Sequence, residues 1–92
     1  MAKSNFVNVQ IVNELGLHAR AAASFVKVAS MYKSEITVSK DGTVVNGKSI
    51  MGVMMLAAPK GSCIKICAVG DDADAALEAL NQLVLNKFGE DK

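Results

Sequence analysis

Residues 6–29 read FVNVQIVNELGLHARAAASFVKVA, and the spacing of the apolar side chains changes within this stretch from every second residue to helical spacing. At its start apolar and polar side chains alternate, so Val7, Val9 and Ile11 fall on one face of a half-buried strand. After residue 18 the apolar side chains recur at helical spacing, which predicts an amphipathic helix. The residues of its buried face are Ala22, Phe25, Val26 and Ala29. The chain therefore opens with a strand, a short loop and a helix.

The rest of the chain continues with the same two kinds of element. Three further segments are apolar on one face or almost throughout, and they predict strands at 35–40, 43–45 and 63–69. The Asp41-Gly42 pair between the first two is typical of a tight hairpin turn. Two further helices are predicted, one over 50–57 and one that opens at Asp71-Asp72 and stops at Gly89. The buried stripe of the last helix is predicted to be Ala76, Leu77, Leu80, Val84 and Phe88.

This order of elements, βαββαβα, predicts an α+β fold in a single domain that spans residues 1–92. A four-stranded antiparallel sheet would be covered on one face by the three helices, which makes an open-faced β-sandwich. A chain of 92 residues, 51% of them hydrophobic, is long enough to bury one core and no more.

Composition and charge exclude several classes of function. The net charge is +1, and the chain contains no Trp, one Tyr and three Phe, so neither a basic stripe nor a stacking platform for nucleic acid is present. The first residues, MAKSNFVNVQ, lack the apolar core of a signal peptide, and no apolar run approaches the roughly 20 residues that span a bilayer. We therefore expect a cytoplasmic protein that does not insert into membranes.

The two cysteines, Cys63 and Cys67, fall on the same predicted strand. Four residues of extended chain separate them by roughly 13 Å, which is too far for a disulfide. Free thiols suit the reducing cytosol. Because the close ligand pairs of a metal site are missing as well, we expect no metal and interpret both cysteines as small buried apolar residues.

His18 is the only histidine, and it falls where the first predicted helix begins. Free backbone N–H groups and the positive end of the helix dipole make this position an anion site. Arg20 adds a guanidinium whose planar fork matches phosphate oxygens. A neutral imidazole attacks phosphorus, and the phosphohistidine that results passes the group on. These residues alone leave two interpretations open: a transient phosphoryl site, or a histidine that hydrogen-bonds a turn.

Separate motifs carry a resemblance to a known family. Residues 16–20, GLHAR, followed by Ala22 and Phe25-Val26, are similar to the active-site signature of the HPr family. Its members are the histidine-containing phosphocarriers of the bacterial phosphoenolpyruvate-dependent phosphotransferase system. Residues 45–54, VNGKSIMGVM, resemble the segment around that family's regulatory serine, and residues 61–70 resemble its fourth strand. The resemblance covers nearly the whole chain.

The resemblance implies a phosphoryl carrier rather than an independent catalyst. It implies phosphorylation of His18 on ring Nδ1, with Arg20 pairing the phosphate, enzyme I as donor and IIA domains of sugar permeases as acceptors. The sequence contains no P-loop and no clustered carboxylates for Mg²⁺, so we expect no cofactor and a phosphoryl group that arrives on another protein. The family usually has proline after the arginine. Ala21 stands there, which keeps the helix but fixes its start less firmly.

Ser49 precedes the second predicted helix, where its hydroxyl is placed to accept a hydrogen bond from the first turn. The resemblance implies a further role for Ser49 as a phosphorylation site of HPr kinase/phosphorylase. The two roles are compatible, because a phosphate beside a helix N-terminus is tolerated by the fold. The added negative charge would instead repel partners that present acidic surfaces.

The second helix is rich in methionine and too short to bury all of its apolar side chains. Val53 and Leu56 are expected in the core. The resemblance implies that three side chains lie outside and contact partners, a task to which flexible thioethers are suited: Ile50, Met51 and Met54. Lys27 and Lys48 would border this surface and attract acidic partners. A carrier that meets its partners in turn is expected to be monomeric.

Two alternatives stay open at this point. Residues 13–16, NELG, and 88–91, FGED, resemble NPr, the paralogue of the nitrogen branch, whereas residues 48–52 favour the serine-regulated type. The other alternative is a regulatory module whose phosphorylated Ser49 surface docks on a transcription factor or kinase, with His18 dispensable. The motifs do not encode which sugars or IIA domains are served.

Overall fold

The computed structural model describes residues 3–92, in which four strands and three helices follow one another in the predicted order. The strands are β1 Ser4–Gln10, β2 Glu35–Lys40, β3 Thr43–Asn46 and β4 Cys63–Val69. The helices are α1 Ala19–Ala29, α2 Ile50–Met55 and α3 Ala73–Leu85, with a short 3₁₀ turn after them at Lys87–Gly89. No helix within residues 3–92 has the length and apolar character needed to cross a membrane.

The strands form one antiparallel sheet in the order β1-β4-β2-β3. β4 is central, and its Ile66 stands opposite Val7 of β1 on one side and Val38 of β2 on the other. The hairpin between β2 and β3 turns at Asp41 and Gly42, whose φ angles are 51° and 87°. Because such a turn needs left-handed backbone at both positions, these angles confirm the predicted hairpin.

The helices cover one face of the sheet, and the hydrophobic core lies between the two layers. Successive residues of a strand point to opposite faces, so each strand buries alternate side chains. The inward residues of β2 and β4 are Ile36, Val38, Ile64, Ile66 and Ala68. Phe25 of α1 and Leu80 of α3 are fully buried against this layer. The open-faced βαββαβα sandwich is confirmed.

The prediction that both cysteines are buried is wrong. Cys63 is exposed and Cys67 is half-buried, and both thiols are free. They occupy the outward positions of β4, on the face of the sheet opposite the helices, because the inward positions belong to Ile64 and Ile66.

α3 ends at Leu85, so the prediction that it continues to Gly89 is also wrong. Lys87 and Phe88 adopt left-handed backbone, with φ angles of 59° and 57°, and this turn still places Phe88 in the core. The predicted buried stripe is therefore confirmed even though its last residue lies outside the helix. The turn directs the last residues, 90–92, toward the loop that precedes α1. We call residues 90–92 the C-terminal tail.

Candidate functional site

His18 lies at the N-cap of α1, where the sequence predicts it. Its backbone is extended, with φ −73° and ψ 179°, and its carbonyl oxygen accepts a hydrogen bond from the N–H of Ala22 at 2.8 Å. Its side chain makes no capping hydrogen bond. The imidazole is therefore available for contacts outside the helix.

The loop before His18 is packed against the segment between α2 and β4. The N–H of buried Leu17 donates to the carbonyl oxygen of Ala58 at 2.9 Å. Gly16 has a φ of 67°, and a Cβ on it would lie 2.9 Å from the Cα of Pro59. Glycine is thus required by both conformation and space, and the backbone that leads to His18 is held against the segment between α2 and β4.

The imidazole of His18 contacts a carboxylate from the other end of the chain. Its Nε2 lies 2.5 Å from Oε2 of Glu90 in the C-terminal tail. The other carboxylate oxygen, Oε1, accepts a hydrogen bond of 2.9 Å from Nδ2 of Asn13, which is fully buried. The N–H of Glu14 donates to the carbonyl oxygen of Lys92 at 3.0 Å. Backbone and side-chain bonds together attach the tail to the loop before α1.

Glu90 keeps a negative charge beside the histidine. Its side chain is 11% exposed and that of His18 is 28% exposed. Burial opposes ionisation, but hydrogen bonds from Asn13 and His18 and electrostatic attraction to His18 and Arg20 outweigh it and hold the pKa of Glu90 below its usual range. The carboxyl is therefore ionised at neutral pH.

His18 opens onto a shallow cleft of about 660 Å³. The lining comes from the loop, the first turn of α1 and the C-terminal tail: Glu14, Leu15, His18, Ala19, Arg20, Glu90, Asp91 and Lys92. Arg20 is exposed here. An imidazole, a guanidinium and a helix N-terminus thus border one solvent-accessible volume, which suits a phosphate group. Within residues 3–92, no three His, Cys, Asp or Glu side chains are placed to bind a metal ion.

Ser49 is the N-cap of α2, as predicted. Its Oγ accepts a hydrogen bond from the N–H of Gly52 at 3.1 Å, and its carbonyl oxygen accepts one from Val53 at 3.0 Å. The side chain is half-buried. Ser49 therefore stabilises the start of α2 while it stays within reach of solvent.

α2 divides its apolar side chains between core and surface. Val53 and Leu56 are buried, as expected. The exposed side chains are the three expected ones and one more: Ile50, Met51, Met54 and Met55. Lys27 is exposed on α1, which packs against α2. Lys48 is half-buried, and its Nζ donates a hydrogen bond to the carbonyl oxygen of Tyr32 at 2.7 Å.

Sequence reasoning missed the contacts of Glu90 with Asn13 and His18. Glu90 is 72 positions from His18 and 77 from Asn13, so no local pattern connects them. Residues 88–91 stood out only through their resemblance to the NPr tail, which assigns no contact. The left-handed turn after α3 creates this contact, and the helical pattern of the sequence does not reveal that turn.

Comparison with known proteins gives concordant sequence matches. Residues 7–86 match the PTS-HPr family model, described as the PTS HPr component phosphorylation site. Phosphocarrier protein HPr of Neisseria meningitidis is 51% identical over 83 residues, which cover 90% of this chain and 93% of that protein. Phosphocarrier protein HPr of Pseudomonas aeruginosa is 48% identical over 85 residues, which cover 91% of this chain and 94% of that protein.

Solved structures agree with these matches. The crystal structure of HPr-C-His from Thermoanaerobacter tengcongensis has a TM-score of 0.91 at 48% identity and covers 96% of this chain and 99% of that one. The crystal structure of an HPr dimer from the same organism has a TM-score of 0.76 at 50% identity and covers 91% of this chain and 97% of that one.

Proposed function

The chain belongs to the HPr family of phosphocarriers of the phosphotransferase system, and we propose that His18 is the residue that carries the phosphoryl group. The placement of His18 is the observation that supports this best. Its half-buried ring stands at the N-terminus of α1, at an open cleft that Arg20 also borders. A nucleophile, a cation and free N–H groups meet where an anion must be received and released.

The transfer step follows from the chemistry of these groups. The lone pair on Nδ1 of His18 attacks the phosphorus of the donor, the bond from phosphorus to the donor breaks, and its electron pair stays on the donor. The phosphoryl oxygens are received by the guanidinium of Arg20 and by N–H groups of the first turn of α1. Attack by an acceptor reverses these events and returns the free imidazole.

The proposed donor is enzyme I, and the proposed acceptors are IIA domains of sugar permeases. The exposed side chains of α2 support a docking surface that comprises Ile50, Met51 and Met54. The positive charges of Lys27 and Lys48 would favour partners with acidic surfaces. A monomer leaves this surface open to each partner in turn. Free thiols at Cys63 and Cys67 fit a cytoplasmic location.

Labelling with enzyme I and phosphoenolpyruvate tests the proposal. We expect one acid-labile phosphate per wild-type chain and none on His18→Ala, because the acceptor nitrogen is gone. Circular dichroism of both proteins controls for folding. If a folded His18→Ala protein still labels fully, His18 is not the acceptor.

Phosphorylation of Ser49 by HPr kinase/phosphorylase is proposed as a control on docking. Phosphate adds nearly two negative charges beside the exposed side chains of α2. Asp and Asn both cap helices well and differ in charge, so Ser49→Asp and Ser49→Asn form a matched pair. We expect Ser49→Asp to weaken binding to a IIA domain about tenfold in titration calorimetry and Ser49→Asn to bind like wild type. Equal affinities of the two variants would contradict a charge-based control.

The alternatives are tested with the same proteins. The relatives compared above are named phosphocarrier protein HPr, which supports the sugar branch over the NPr branch. Comparison of phosphoryl transfer rates from the two enzyme I paralogues separates these branches. A regulatory module would instead keep its main role in His18→Ala and lose it in Ser49→Ala.

A further inference from the structure

Glu90 is bound too specifically to be an incidental neighbour of His18. One carboxylate oxygen lies 2.5 Å from Nε2 of the ring, and the other accepts a hydrogen bond from buried Asn13. Buried Phe88 fixes the turn before Glu90, and the bond from Glu14 to Lys92 fixes the chain after it. The hydrogen bond from Asn13 thus holds the carboxylate beside the histidine, and Phe88 and Lys92 hold the chain on either side of Glu90.

An ionised carboxylate has no proton to donate, so the proton in the contact belongs to Nε2 of His18. The hydrogen bond made by one ring nitrogen decides which form the other adopts. With the proton on Nε2, Nδ1 carries the lone pair of the neutral ring. The contact therefore selects the tautomer that attacks phosphorus through Nδ1.

We propose that Glu90 is a positioning residue of phosphoryl transfer, which fixes the orientation and tautomer of the His18 ring and stabilises the charge the ring acquires when Nδ1 is phosphorylated. This inference rests on the proposed role of His18. Within residues 3–92, the carboxylate that contacts the ring is that of Glu90, whereas Arg20 is a cation and cannot accept a hydrogen bond from Nε2. The remaining charged groups at the cleft are Glu14, Asp91 and Lys92.

Glu90 contributes to phosphoryl transfer by facing the positive charge that forms on the His18 ring. When Nδ1 forms its bond to phosphorus, the donor keeps the electron pair of the broken bond, and the proton stays on Nε2. The imidazole thereby becomes an imidazolium, whose positive charge faces the Glu90 carboxylate. Transfer onward breaks the bond from phosphorus to Nδ1 and returns the neutral ring with its Nε2 proton in place. Glu90 thus stabilises the charged ring without gaining or losing a proton.

Nuclear magnetic resonance observes this contact directly. The chain has a single histidine, so ¹⁵N-labelled protein without a histidine tag gives one set of ring signals. We expect wild type to show an Nε2–H signal shifted downfield and protected from solvent exchange. In Glu90→Ala this signal should be lost to exchange, because the acceptor is absent. Glu78→Gln removes an exposed carboxylate of α3 outside the cleft and should leave the signal unchanged.

Glu90→Gln refines the test, because a glutamine offers one acceptor oxygen where the carboxylate serves two donors, His18 and Asn13. We expect an intermediate Nε2–H signal. In transfer assays with saturating donor, we expect kcat to fall about tenfold in Glu90→Ala, since a hydrogen bond to a charged group is lost. It should fall less in Glu90→Gln and not in Glu78→Gln. KM should stay the same, because Glu90 contacts the His18 ring rather than the donor.

Two results would overturn the inference: a protected Nε2–H signal that persists in Glu90→Ala, or transfer kinetics of that variant equal to wild type. Failure of the proposed function has a different signature. In that case wild type itself is not labelled by enzyme I, while the ring signals still report whether Glu90 holds the histidine.

Discussion

Arg20, which is proposed to pair the phosphate, lies where a cation is unfavourable for its helix. It lies in the first turn of α1, where the positive end of the dipole disfavours a cation. Its exposed guanidinium borders the cleft, and its charge helps to keep Glu90 ionised. A cation in this position is better explained by phosphate binding than by stability.

We therefore predict that Arg20→Ala slows phosphoryl transfer about tenfold to a hundredfold, which is the change in rate expected when a hydrogen bond to a charged group is lost. The free energy of unfolding should not fall, since an unfavourable charge leaves the helix start. Arg20→Lys keeps the charge but loses the planar fork, so its transfer rate should lie between those of wild type and Arg20→Ala. Single-turnover transfer and urea unfolding measure the two quantities. Wild-type rates in Arg20→Ala would exclude it from the phosphate site.

The same residues show what sequence alone allows at this scale. The positions of His18 and Arg20 at the start of α1 were predictable, because a helix start, a lone histidine and a nearby arginine are local features. Glu90 and Asn13 were not, because 72 and 77 positions separate the residues that touch. Their contact depends on the fold as a whole.

At the scale of elements, Asp72 joins the start of α3 to the turn that leads into β2. Its carboxylate accepts hydrogen bonds from the N–H of Lys33 at 2.8 Å and of Ser34 at 3.0 Å, and from the Ser34 hydroxyl. Asp72 is the N-cap of α3 but makes no capping bond with its side chain. The bond from the Ser34 hydroxyl is the main cause that holds the pKa of Asp72 below its ordinary value of 3.8, with the Lys33 N–H next.

We predict that Asp72→Asn lowers the Tm near neutral pH, because an amide cannot accept from all of these donors. A carboxyl whose pKa is lowered by folding stabilises the native state above its unfolded pKa, and this contribution is lost as pH falls through the folded pKa. The Tm difference from wild type should therefore be complete at neutral pH and shrink below about pH 3.8. Thermal unfolding across this range measures it.

Asp71→Asn is the matched control for this prediction, because Asp71 is the exposed neighbour of Asp72. It should leave the Tm near the wild-type value. A Tm difference for Asp72→Asn that does not change with pH would show that the carboxylate charge is not what joins α3 to β2.

The elements themselves were predictable where the period of the sequence is sharp. β2 and β4 begin and end at the predicted residues, and the Asp41-Gly42 turn follows from the left-handed backbone it needs. The end of α3 was not predictable, since a continued helix and the observed turn both bury Phe88. The cysteines were misplaced because an apolar run does not reveal that one face of β4 is open to solvent.

At the scale of the whole molecule, the fold gathers three distant segments at one cleft. The loop after β1, the start of α1 and the C-terminal tail meet there. Exposed apolar side chains of α2, which packs against α1, provide the proposed docking surface. The topology thus places the proposed transfer site and the proposed partner surface on neighbouring helices.

We propose that His18 carries the phosphoryl group on Nδ1 while its Nε2–H donates a hydrogen bond to Glu90. A long-range ¹H–¹⁵N correlation spectrum of the protein, recorded after phosphorylation by enzyme I and phosphoenolpyruvate, tests it most directly. We expect one phosphorus coupled to Nδ1 of His18, with the proton still on Nε2. Phosphorus bonded to Nε2, or to any other residue, would contradict it.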